Sequence, residues 1–187
     1  MKETQIRIRG PFRLIHGESA PLFDILLVYV VGVVFGVLAL AFAFTRVEEL
    51  PVWKAVLLFV LAADVSGGAM ACFSQGSDAY YGSRPRLRWA FIFIHVIEPA
   101  LLYLLFDGRL AYWIFLYAFT TAGASLVNIL AGRSRQQGAA VALVVIGIVI
   151  LLPIGWSTPF LEWFGPVYML KLILGFAVRR SVQHWQP

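Results

Sequence analysis

Six times along this chain a run of about twenty residues passes with almost no charge, and that recurrence restricts the fold more than any motif does. The runs cover about residues 23–44, 52–74, 89–106, 110–131, 138–156 and 159–178. A helix needs about 20 apolar residues to cross the hydrocarbon core of a bilayer. Backbone N–H and C=O groups find no water there, so a spanning segment must satisfy them internally, as a helix does. The two-residue alternation of outer-membrane barrels is missing from the runs. The expected fold class is therefore an all-α membrane protein, a single bundle of six transmembrane helices.

Composition agrees. Apolar residues make up 60% of the 187 and charged residues 13%, with a mean hydropathy of +0.82. Soluble domains run nearer half and a quarter. An ordinary soluble enzyme and a disordered chain are both excluded. The single cysteine, Cys72, cannot close an internal disulfide, which excludes a disulfide-rich scaffold as well.

Turn residues punctuate the short links, as in Glu49-Leu50-Pro51, Gly82-Ser83-Arg84-Pro85, Asp107-Gly108-Arg109 and Ser157-Thr158-Pro159. Such links make neighbouring spans antiparallel within one membrane domain covering 1–187. Lys2, Arg7, Arg9 and Arg13 precede the first run much as a secretory n-region would. That run is longer than the roughly 7–15 residues of a signal-peptide core. It is expected to stay as a first span behind a cytoplasmic segment, residues 1–20.

Orientation follows from the basic residues. Lys2, Arg7, Arg9, Arg13, Arg84, Arg86, Arg88, Arg133, Arg135, Arg179 and Arg180 would share one side, and only Arg46, Lys54 and Arg109 the other. This bias places both termini in the cytoplasm of a bacterial-type plasma (inner) membrane. Trp53, Trp113, Trp156 and Trp163 fall near the outer boundary, and Trp89 and Trp185 near the inner, as interfacial belts do. The net charge of +5 is spread over separate cytoplasmic segments. It suits anionic lipid rather than nucleic acid.

Ionisable groups inside a membrane are costly and point to function. Asp64, His95, Glu98 and Lys171 lie there. At about 1.5 Å of rise per residue, Asp64 and Glu98 share a level about 15 Å deep, with His95 and Lys171 one turn nearer the cytoplasm. His95 and Glu98 project from one face at spacing i, i+3. Pro99 frees the carbonyl of His95, and Pro166 that of Glu162. These four residues form the expected proton or substrate site, with Ser125, Asn128 and Tyr168 as supporting polar groups. His16 and His184 are expected at the cytoplasmic surface, away from it. Arg84, Arg86 and Arg88 could hold a lipid headgroup. Gly32 and Gly36 form a small-xxx-small motif, a weak pointer to a homodimer.

No phosphate-binding glycine loop, H-E-x-x-H or C-x-x-C motif is present, so no metal site is expected and no cofactor is indicated. Three functions fit: a small transporter or permease coupled to protons through the acid pair and histidine; an intramembrane enzyme acting on a lipid or isoprenoid substrate; and a non-catalytic assembly or accessory subunit. The expected partners are membrane lipid, an unidentified small-molecule or lipid ligand, and a second copy of the chain.

Overall fold

The structure, a computed structural model, describes residues 5–154 and 158–180. Lys2, Trp156, Ser157, His184 and Trp185, which the sequence reading uses, lie outside the described residues. The chain begins with a small ribbon, a correction to the expectation of helices alone. Strand β1 (Gln5–Arg7) pairs antiparallel with β2 (Ser19–Pro21), and the one-turn helix α1 (Arg13–His16) sits in the loop between them.

Eight further helices follow: α2 (Leu22–Phe44), α3 (Val52–Cys72), α4 (Gln75–Gly82), α5 (Pro85–Ile94), α6 (Ile97–Phe106), α7 (Leu110–Ile129), α8 (Gln136–Ile154) and α9 (Phe164–Met169). Of these, α2, α3, the α5–α6 pair, α7 and α8 make five apolar segments of membrane length, 19 to 23 residues each. Their boundaries come from local chemistry. Pro85 takes the first position of α5, where its missing N–H costs nothing. The Ser74 hydroxyl caps α4 by accepting from the Ser77 N–H at 3.3 Å. Between α6 and α7, Asp107 and Gly108 both adopt positive φ (57° and 104°), a reversal that glycine makes inexpensive.

The outside of this bundle is apolar. Val30, Val33, Val37 and Leu38 on α2, Val56 and Val60 on α3, Leu101 and Leu104 on α6, and Val145 and Val149 on α8 all face outward. So large an apolar surface belongs against lipid. The chain is a multi-pass membrane protein.

Three expectations change. The run at 159–178 is not a helix of membrane length. Only Phe164–Phe176 is helical there, and it is enclosed by protein, with Phe164, Tyr168, Met169 and Leu172 fully buried. Hydropathy cannot separate a lipid-facing helix from one buried in protein. Pro166 falls in the first turn of α9, whose N–H groups need no intrahelical partner, so it helps to open the helix and breaks nothing. Trp113 is core rather than interface, 3% exposed, its indole N–H donating to the Asp107 carbonyl at 3.3 Å.

The glycines of the small-xxx-small motif are used within the chain. A Cβ on Gly32 would lie 3.0 Å from the Ala63 carbonyl oxygen, and one on Gly67 would lie 2.9 Å from that of Val28. Side-chain-free positions therefore bring α2 against α3, as small residues do in membranes.

Candidate functional site

The site is built where two helices depart from regular geometry. Pro99 has no N–H and its ring crowds the carbonyl four residues back, that of His95. The third membrane segment accordingly breaks at His95-Val96, between α5 and α6. The freed carbonyl is not left bare, because the buried Tyr168 hydroxyl donates to it at 2.8 Å. Tyr168→Phe should cost about 1–3 kcal/mol, the price of an unsatisfied buried acceptor, read as a lowered thermal unfolding midpoint in detergent.

The second departure follows α9, which continues from Leu170 to Phe176 as a π-helical stretch. Its widened register shows in the Ala177 N–H donating to the Leu172 carbonyl, five residues back, at 3.0 Å. Such stretches are rare and gather at functional positions. This one carries Lys171, 3% exposed. The lysine stem passes over Gly68 of α3, where a Cβ would lie 2.8 Å from Lys171 Cε. A side chain at Gly68 would displace the lysine.

The Lys171 ammonium donates to Glu98 Oε1 at 2.5 Å and to Asp64 Oδ2 at 3.4 Å. Asp64, Glu98 and Lys171, from α3, α6 and the π stretch, thus form one cluster. Its members differ in setting. Glu98 and Lys171 are enclosed, whereas 61% of the Asp64 side chain is exposed on the outer face of the bundle.

His95 borders the cluster without joining its hydrogen bonds. Its Nδ1–H donates to the Phe91 carbonyl at 2.5 Å, and its Nε2 stands 3.9 Å from Glu98 Oε1. A cavity of about 100 Å³ lies beside it, lined by Asp64, Gly68, Cys72, His95 and Lys171 together with Leu14 and Ile15 of α1. It has room for a few water molecules. The N-terminal segment therefore reaches the edge of the cluster, a position nothing in its sequence announces. His16, expected at the surface, is buried and its Nε2 lies 3.3 Å from the Tyr29 hydroxyl. Burial holds its pKa below the ordinary histidine value, against a weaker pull upward from Asp24.

The remaining expected residues do not meet this cluster. Asn128 accepts from Arg88 Nε at 2.6 Å, and Ser125 lies on the same helix one turn before it, half-buried. Arg84 pairs with Glu18 at 2.7 Å, and Arg86 is exposed. Arg88 turns inward, away from any headgroup, and is 4% exposed. Its guanidinium donates to the carbonyls of Phe176 and Ala177 at 2.7 and 2.9 Å and stands 3.7 Å from Asp78. Gln136 donates to the Ala177 carbonyl at 3.0 Å, and Arg180 to those of Gly175 and Leu174 at 2.8 and 2.9 Å. These three side chains satisfy the carbonyls that the π stretch leaves at its end. In the sequence Arg88 and Arg180 stand beside span ends, where they count toward orientation and Arg88 also toward a lipid headgroup, and nothing there singles out Gln136.

Among the described residues, no three His, Cys, Asp or Glu side chains gather as a metal ion would require. No protein-family model matches the chain, and no curated protein or solved structure is significantly similar to it.

Proposed function

We propose that this chain crosses a bacterial-type plasma membrane six times with both termini in the cytoplasm, and that it is a small proton-coupled permease centred on Asp64, Glu98 and Lys171. Contacts at the two ends of the last passage support six crossings. Phe160 packs edge-on against Phe106 at one end of the bundle, while Ala177 meets Arg88 and Gln136 at the other. A short enclosed helix and the turns before it complete the sixth crossing. The basic residues of the sequence then set the orientation.

The carrying observation is one ammonium between two carboxylates, 2.5 Å from Glu98 and 3.4 Å from Asp64. One cation cannot neutralise both acids. In a low dielectric the surplus negative charge is expensive, and a proton removes it. Gain of a proton by one acid releases Lys171 to the other, so proton occupancy and lysine position are linked. A solute that competes with the proton would be exchanged against it. His95 and Tyr168 position the cluster, the first beside Glu98 and the second by holding the break in the helix.

Infrared spectroscopy of the reconstituted protein during a pH titration tests this reading. The expected result is a protonated-carboxyl C=O band that grows as pH falls, and that loses amplitude in both Asp64→Asn and Glu98→Gln. A spectrum with no such titrating band, in folded protein, overturns it. The intramembrane-enzyme reading has one observation in its favour, an apolar groove leading sideways from Asp64. The inward turn of Arg88 leaves it short of a headgroup clamp.

A further inference from the structure

The Asp64 side opens onto a groove of about 230 Å³ between α2 and α3. Tyr29, Gly32, Val33, Ala63, Gly67 and Gly68 are among its walls, and among the described residues Asp64 is the one charged residue lining it. Val33 both lines the groove and is exposed on the apolar outside of the bundle, and exposed Val60 lies one turn from Ala63 and Asp64 on α3, so the groove adjoins surface suited to lipid. We infer that this groove is a lateral binding site for a single-chain lipophilic amine, its ammonium on the Asp64 carboxylate and its alkyl chain along α2 and α3 into the bilayer. The inference rests on the cluster described above and names the class of solute that would compete with its proton.

Glu98 holds Lys171 at 2.5 Å, so that pair is close to neutral, and Asp64 keeps a negative charge with a weaker contact at 3.4 Å. With 61% of its side chain exposed, Asp64 has room for a ligand, and a carboxylate within a membrane span is costly and needs a counter-charge. His95 donates to the Phe91 carbonyl and its other nitrogen stands beside Glu98 at 3.9 Å, so it is not placed as the partner of Asp64. An ammonium supplies the charge and donates hydrogen bonds to the carboxylate. Anionic lipids would bring like charge to Asp64. The volume is below the roughly 300–1,000 Å³ of enclosed small-molecule pockets, which suits one chain whose far end stays in lipid. Gly32 and Gly67 set the closeness of the two helices, and Gly68 makes room for the Lys171 stem at the groove's inner edge.

Dodecylamine, dodecanol and dodecanoate share a chain and differ in headgroup, which makes them the probes. Binding to the full chain in neutral detergent would be read by native mass spectrometry and by thermal shift. At neutral pH dodecylamine should bind about ten- to a hundredfold more tightly than dodecanol, the value of a charge-assisted hydrogen bond, and dodecanoate more weakly than either. Asp64→Asn should lower amine binding to the dodecanol level. Val33→Trp, which narrows the groove without touching the cluster, should reduce both. Equal binding of amine and alcohol, unchanged amine binding in Asp64→Asn, or a second copy of the chain occupying the groove would each overturn the inference. The infrared titration of the acid pair does not depend on the amine, so a failure here leaves the proton-coupling reading standing, and the reverse also holds.

Discussion

Replacing Lys171 with methionine is expected to destabilise the protein by about 3–5 kcal/mol, the usual cost of removing one member of a buried ion pair. Methionine keeps most of the volume and the apolar stem, so packing over Gly68 is largely preserved. What changes is charge. Glu98 would remain enclosed and lose the ammonium 2.5 Å from its Oε1, and Asp64 would lose its contact at 3.4 Å. The π stretch bearing Lys171 would also lose its tie to α3 and α6. Thermal unfolding in detergent measures the effect, and a change below about 1 kcal/mol would place Lys171 outside any buried pair. Glu98→Gln in the same background should restore part of the loss, because the remaining amide carries no uncompensated charge.

Arg88→Met should produce an effect of similar size, about 3–5 kcal/mol, although it lies away from the acid cluster. The guanidinium binds the Phe176 and Ala177 carbonyls, Asn128 and, at longer range, Asp78. Those groups belong to α7, α4 and the end of the π stretch, so one substitution removes a side chain that ties three elements together. A buried acceptor left without a donor costs about 1–3 kcal/mol; the Phe176 carbonyl and Asn128 Oδ1 would each lose the Arg88 donor, while Ala177 keeps Gln136 and Asp78 keeps the Arg180 N–H. Arg86→Ala, at an exposed position two residues away, should change stability by no more than about 0.5 kcal/mol. The contrast is read from the same unfolding curves. Equal effects at the two positions would mean that Arg88 is an ordinary topogenic charge.

Hydropathy is a local property, and the features it governs were readable from the sequence. Five apolar runs became helices of membrane length within a few residues of their expected ends. The break at His95-Val96 followed from Pro99, and counting residues from the span ends put Asp64, Glu98 and Lys171 at neighbouring depths, where the structure brings them together. Properties that depend on which neighbour faces a residue were not readable. Phe164–Phe176 is as apolar as a lipid-facing helix yet is enclosed, because hydropathy does not distinguish lipid from protein as a surrounding. The change to π geometry at Leu170 leaves no mark in residue type. Arg88 counts as one more cytoplasmic charge until the carbonyls it reaches are seen. Gly32 and Gly36 show the ambiguity of short motifs, since the same spacing serves packing within a chain as well as between chains.

The reciprocal exchange of Glu98 and Lys171 bears most directly on whether these groups share one interior ion pair. Glu98→Lys alone puts two cations beside Asp64, and Lys171→Glu alone puts three acids together, so each should lower the thermal unfolding midpoint sharply. The double exchange restores one cation beside two acids and should recover most of the loss, a coupling of several kcal/mol between residues that interact. If the double variant is as unstable as the two single losses combined, Glu98 and Lys171 do not meet, and the proposed centre is wrong.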